Sequence, residues 1–165
     1  MLVLNEILGG YFGSRLMKNI REDKGLTYGI SSQMAGMVNE GFFVIGADVK
    51  AENTELALAE IYKEIDILKN ELVPESELNT VKNYIIGSYL ANLSNPFLLA
   101  DYFKSIYFLD MDYQFYDNFI PNIRKIKAID IQKIAQKYFD QTSFTEVVVG
   151  NTEVLNKKKA SDKKY

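Results

Sequence analysis

Apolar residues recur at helical spacing from the start of the chain. Leu4, Ile7 and Leu8 fall on one face of the segment 2–8, the pattern of an amphipathic helix. No N-cap residue precedes it, which leads to the expectation that the chain is cut from something longer. Gly9 and Gly10 are expected to end this helix as C-terminal glycines do. Gly13 permits a tight turn and Ser14 is placed to cap a second short helix. There Leu16, Met17 and Ile20 form the apolar face and Gly25 supplies the stop. At about 100° per residue, Arg21 lands beside Met17 on the margin of that face, its stem able to pack while its guanidinium reaches out.

The period then changes. Residues 26–34 alternate, with Leu26, Tyr28 and Ile30 on one side, as in a strand. A polar, glycine-bearing turn through Asn39–Gly41 leads into FFVIGADV, residues 42–49, which is apolar on both faces. The two predict an antiparallel hairpin. From Asn53 the helical period returns, with Leu58, Ile61, Tyr62, Ile65 and Leu68 making a buried stripe to about Leu72. Pro74 opens the next helix, whose inward face is Leu78, Val81, Ile85 and Tyr89. Ser94-Asn95-Pro96 breaks and restarts it. The aromatic helix beyond carries Phe97, Tyr102, Phe103, Tyr107 and Phe108, and two shorter helices are expected over 113–123 and 129–139. TEVVV, residues 145–149, reads as a last strand ending at Gly150.

Composition narrows the chemistry more than the fold. The 165 residues are 47% hydrophobic and 25% charged, values of a folded domain with a core of its own. A net charge of −3 argues against nucleic acid, whose phosphates call for a basic surface. Asp101, Asp110, Asp112 and Asp117 around the aromatic stretch argue the same way. Packing in the core or between domains is the simpler reading of those rings. There is no cysteine, which excludes disulfides and leaves compartment open. There is no histidine either, which removes the commonest zinc ligand and the usual neutral-pH base. No apolar run reaches the roughly 20 residues that span a bilayer. Residues 151–165 are Lys-rich and nearly free of apolar side chains, and disorder is expected there. One domain over 1–150 remains, an α+β unit with an antiparallel or mixed sheet and helices packed on one face.

Candidate chemistry is sparse. The glycines of GGYFGS match neither the dinucleotide nor the Walker A spacing, so they read as helix stops. Arg21 and Tyr28 lie seven residues apart across a break. As a pair, a fixed cation and a phenol can bind a peptide carbonyl or stabilise an oxyanion. Singly, Arg21 reads equally as a solvated arginine beside Glu22 and Asp23, and Tyr28 as a packed tyrosine with a satisfied hydroxyl.

LNEILGGYFGSRLMKNIREDKGLTY, residues 4–28, resembles the downstream half-domain of the pitrilysin/insulinase family of zinc metallopeptidases, which includes the mitochondrial processing peptidases. The pattern is a leucine-rich helix, LGG, a loop, SRL, then I-R-E, a basic residue, G-L and Y. GFFVIGADV resembles the family's next strand, SELNTVKNYIIGSYL its following helix, and IQKIAQKYF with TEVVVG its closing helix and strand. The likeness runs from Leu2 to Gly150. It implies one half of a clamshell whose other half carries H-x-x-E-H and a distant glutamate to hold zinc. The Arg and Tyr contributed across the cleft fall on Arg21 and Tyr28. By resemblance, Arg21 grips a substrate carbonyl and Tyr28 supports the oxyanion.

The chain departs from a whole family member in having no H-x-x-E-H and no histidine. It also begins inside what should be the first helix, so that the strand preceding that helix is expected to be lacking. The resemblance therefore implies a module that holds no metal and does not hydrolyse peptides alone. Its partners would be an extended peptide and a zinc-bearing half-domain in cis or in trans. Two other readings stand beside it: a non-catalytic structural or peptide-binding partner of the same family, and an interaction domain unrelated to proteolysis. The last gains weight if Arg21 is buried in an ion pair with Glu22 or a distant carboxylate.

Overall fold

A computed structural model describes residues 1–37, 40–110, 112 and 114–150; the expected disordered tail, 151–165, lies outside the described residues. Helix α1 (Leu2–Asn5) widens without a break into a π-helical turn, π1 (Glu6–Gly10). Val3, Leu4, Ile7 and Leu8 are buried along its face. After a loop, a second π-helical segment, π2 (Met17–Asp23), buries Met17 and Ile20. Ser14 stands ahead of this helix and its carbonyl accepts from Lys18 N at 3.0 Å. Its buried hydroxyl has no hydrogen-bond partner, so the expected side-chain cap is not made.

Strands β1 (Thr27–Gly36) and β2 (Gly41–Val49) form the expected antiparallel hairpin. Ile30 and Ser32 face inward, with Ile45 and Phe43 beside them from β2. The sheet lies directly on the first helix. A side chain added at Gly9 would meet the Ser32 backbone nitrogen at 2.6 Å and its hydroxyl at 2.7 Å. Gly9 therefore serves a close helix–strand approach, whereas Gly25 alone among the described glycines has the positive φ, 61°, of a C-terminal stop. Across the same contact the Ser32 hydroxyl donates to Asn5 Oδ1 at 2.9 Å, satisfying two buried polar groups at once.

Helices α2 (Thr54–Asn70), α3 (Glu75–Leu93), α4 (Pro96–Phe108), α5 (Gln114–Asp117), α6 (Phe119–Lys125) and α7 (Ala128–Tyr138) complete the helical layer. Asn95 Oδ1 accepts from Phe97 N at 2.9 Å, capping α4 ahead of Pro96. The helix expected over 113–123 breaks at Asn118. Pro121 has no N–H to give the carbonyl of Asp117, and its ring crowds that position. Leu78, Val81 and Ile85 are buried as expected, and join Leu68, Ile131, Ala135 and Phe139 in the core.

Two expectations are narrowed. Phe97, Tyr107 and Phe108 are 81%, 80% and 64% exposed, so the expected packing in the core is not made by these three rings, and packing between domains is left untested. Tyr102 and Ile106 are the inward residues of α4, with Tyr102 among Tyr89 and Tyr116. TEVVV is not a strand, and Val147 and Val149 stand largely exposed. A strand needs a neighbour about 4.8 Å away. Here a groove of about 300 Å³, floored by Ala57, Leu58 and Ile61, separates 147–150 from β2. That groove also explains why Leu58 and Ile61 are only half-buried.

Replacing Gly9 by alanine is expected to destabilise the chain by at least the cost of overpacking, about 1–3 kcal/mol, because the obstructing atoms include backbone. Urea denaturation monitored by circular dichroism checks this; an unchanged midpoint would refute the close approach.

Candidate functional site

Arg21 sits in the last turn of π2, where cations are favoured by the helix dipole. The turn is closed by Gly25, whose N–H donates to the Arg21 carbonyl at 3.2 Å, and by Leu26, whose N–H donates to the Ile20 carbonyl at 2.9 Å. The opposite flank of π2 is tied down. Asn19 Nδ2 donates to Glu64 Oε1 at 2.6 Å and to Glu60 Oε2 at 3.0 Å, and Lys24 lies 3.6 Å from Glu60. The Asn19 amide, with Lys24 and Lys63, holds the Glu60 carboxyl below its ordinary value. At the start of this helical stretch Arg15 grips Glu77 with both ends of its guanidinium, at 2.8 and 2.7 Å, the bidentate geometry that arginine favours. Arg21 does none of this. Among the described residues no carboxylate, Glu22 included, pairs with it. Its neighbour is a ring: the guanidinium carbon lies 4.8 Å from the centroid of Phe12.

Tyr28 is placed by a defect in the hairpin. Thr27 pairs with Val49 and Ile30 with Ala47, so two residues of β1, Tyr28 and Gly29, stand opposite one of β2, Asp48. The extra residue makes a β-bulge at Tyr28–Gly29, a site where glycine in a strand is expected. Thr27 holds it: its hydroxyl donates to the Asp48 carbonyl at 2.6 Å and accepts from Gly29 N at 3.1 Å. An inserted residue inverts the alternation. Tyr28 therefore leaves the Leu26/Ile30 side, where unbroken alternation puts it, and stands 99% exposed. Among the described residues its hydroxyl has no partner.

Arg21 and Tyr28 line one open groove of about 800 Å³, together with Leu26, Thr27, Asp48, Lys50 and Asn53. The groove runs between the end of π2 and the end of β2. The structure thus brings the two expected side chains to one surface, the lining of a single groove. Thr27 and Phe12 were not singled out from the sequence. For Thr27 the signal was a threonine two residues before a strand glycine; for Phe12 the spacing offered none.

Nothing here suits a zinc ion. The chain has no histidine or cysteine, and among the described residues no three ligand side chains converge. Nor is any helix of the described residues long and apolar enough to cross a membrane.

Helices layered on a two-stranded antiparallel sheet, beside an open polar groove, define an α+β module in which no cluster of metal ligands forms among the described residues. The chain belongs to the family described as the peptidase M16 inactive domain, whose sequence model matches residues 1–85. It is 30% identical over 95 residues to the "Uncharacterized zinc protease YmxG" of Bacillus subtilis, covering 58% of this chain and 23% of that protein. With an "Uncharacterized zinc protease" of Rickettsia bellii it shares 28% identity over 144 residues, 87% of this chain and 34% of the relative. The crystal structure of a peptidase M16 inactive domain from Pseudomonas fluorescens superposes with a TM-score of 0.74 at 27% identity, over 84% of this chain and 33% of that one. This chain thus spans about a third or less of these relatives.

Because nothing among the described residues uses the Tyr28 hydroxyl, Tyr28→Phe is expected to leave stability within about 0.5 kcal/mol, as measured by thermal melting. Thr27→Val, which removes the lock on the bulge, is expected to cost about 0.5–1.5 kcal/mol. Equal effects of the two would contradict the assigned geometry.

Proposed function

We propose that this chain is the non-zinc half of a zinc-dependent endopeptidase, clamping extended peptide opposite a zinc-bearing half-domain. The observation that carries the reading is the shared groove of Arg21 and Tyr28, one without a carboxylate partner and the other almost fully exposed. A guanidinium with its donors unspent can grip a substrate carbonyl through charge-assisted hydrogen bonds. A phenol hydroxyl free of protein partners can donate to an oxygen as it gains negative charge. The zinc, and the water chemistry it supplies, would belong to the other half, joined in cis or supplied in trans. Closure of the two halves around the peptide would bring the groove to the reacting carbonyl and exclude water. Fold-level membership alone does not carry this; the family's zinc proteases make peptide the substrate class to try. The interaction-domain reading does not gain the weight that a buried ion pair would give it, since among the described residues Arg21 has none.

The test is peptide cleavage by the full-length protein, or by this chain mixed with its zinc-bearing half. Tyr28→Phe is expected to lower kcat by about 10²–10³-fold, the usual loss for one oxyanion donor, and Arg21→Ala to raise KM. Normal cleavage with both residues altered would leave the chain a structural or peptide-binding partner. No cleavage by the unaltered protein under any zinc supply would remove the catalytic reading altogether.

A further inference from the structure

The loop between π1 and π2 is built to hold one ring outside the protein. A side chain added at Gly10 would meet the Asn5 and Glu6 side chains at 2.7 Å, and one added at Gly13 would meet the Tyr11 ring at 2.8 Å. These contacts are with side-chain ends, and they pack the loop against its own residues. Tyr11 turns inward and stacks on Tyr84 of α3, with ring centroids 4.7 Å apart and planes 30° from parallel. With Tyr11 anchored, the next residue is thrown outward, and Phe12 is 64% exposed. Phe12 is absent from the core and its packed fringe, so its ring adds little to folding. What it touches is Arg21, whose guanidinium carbon lies 4.8 Å from the ring centroid.

That distance is within the range of a cation–π contact, in which the negative ring face attracts the guanidinium. The consequence for Arg21 is orientation without occupation. A carboxylate in this position would consume the in-plane N–H groups, as Glu77 does for Arg15. A ring face does not, because the donors radiate in the guanidinium plane. An arginine held by a ring also has less rotamer freedom to lose when it binds.

We propose that Phe12 is a positioning residue for Arg21, a platform that presents the guanidinium to the peptide with its hydrogen-bond donors unspent. This rests on the reading of Arg21 as a substrate grip. The role requires an aromatic face and not merely an apolar surface, so leucine cannot fill it and tryptophan can. Phe12 acts on peptide binding through Arg21 and takes no part in the chemical step.

Two measurements test it. The first is the ring-current shift of the Arg21 δ-protons in NMR spectra of this chain, expected upfield in the unaltered protein and lost in Phe12→Leu. Its absence from the unaltered protein would refute the platform and leave the role of Arg21 standing. The second is cleavage kinetics of the full-length protein with Phe12→Leu, Phe12→Trp, Arg21→Ala and the Phe12→Leu/Arg21→Ala pair. Phe12→Leu is expected to raise KM about two- to five-fold, the scale of an exposed cation–π contact, with kcat unchanged. Phe12→Trp is expected to keep KM near the unaltered value, and Phe12→Leu to add nothing once Arg21 is alanine. The proposal is overturned if Phe12→Leu costs as much without Arg21 as with it, or if KM stays unchanged while Arg21→Ala raises it. If Arg21→Ala changes neither KM nor kcat, the substrate-grip reading fails and this inference with it.

Discussion

The groove depends on how closely the first helix lies on the hairpin. At Gly9 the π1 backbone comes so near Ser32 that no side chain fits between them, and the Ser32–Asn5 hydrogen bond closes the same contact. This fixes β1 relative to π1. The loop that leaves Gly10 and the helix that carries Arg21 are placed from there, with Asn19 and Lys24 pinning the far side of π2 to α2. One buried contact thus sets the start of the strand and the loop together, and Arg21 and Tyr28 are reached from either end of it.

A second constraint shapes the outer surface of the strand. Unbroken pairing would direct Tyr28 toward the helices, as a core tyrosine. The bulge at Tyr28–Gly29, held by Thr27, sends it outward while Ile30 and Ser32 keep to the inner face. Arg21 follows a parallel logic. Its neighbours in sequence are acidic, yet it faces a phenylalanine and keeps its donors available. In both cases the local arrangement withholds a side chain from the fold's own bonding, as expected where local structure serves a partner instead.

Much of the fold was legible from the periodicity, because burial follows the helical and strand repeats wherever they are unbroken. Leu4, Ile7, Leu16, Ile20, Leu78 and Val81 are buried as their spacing implies, and Gly25 has the backbone its role as a stop requires. The pair Arg21 and Tyr28 drew only a weak signal from its spacing and was singled out by the family pattern, and its geometry was not legible in either. A strand reading assumes a period of two, and the bulge at Tyr28–Gly29 breaks it locally, turning Tyr28 outward while Ile30 keeps its expected face. The close approach at Gly9 was hidden for a related reason, since a helix-ending glycine and a glycine under a strand look alike in sequence. TEVVV has the composition of a strand but pairs with no strand among the described residues, and pairing is a tertiary property that propensity does not contain.

The most direct measurement is a crystal structure of the full-length protein with a non-cleavable extended peptide bound. The account predicts the peptide in the groove between π2 and β2, with the Arg21 guanidinium and the Tyr28 hydroxyl each about 2.7–3.2 Å from peptide carbonyl oxygens. A peptide bound elsewhere, with both side chains left in solvent, would contradict it.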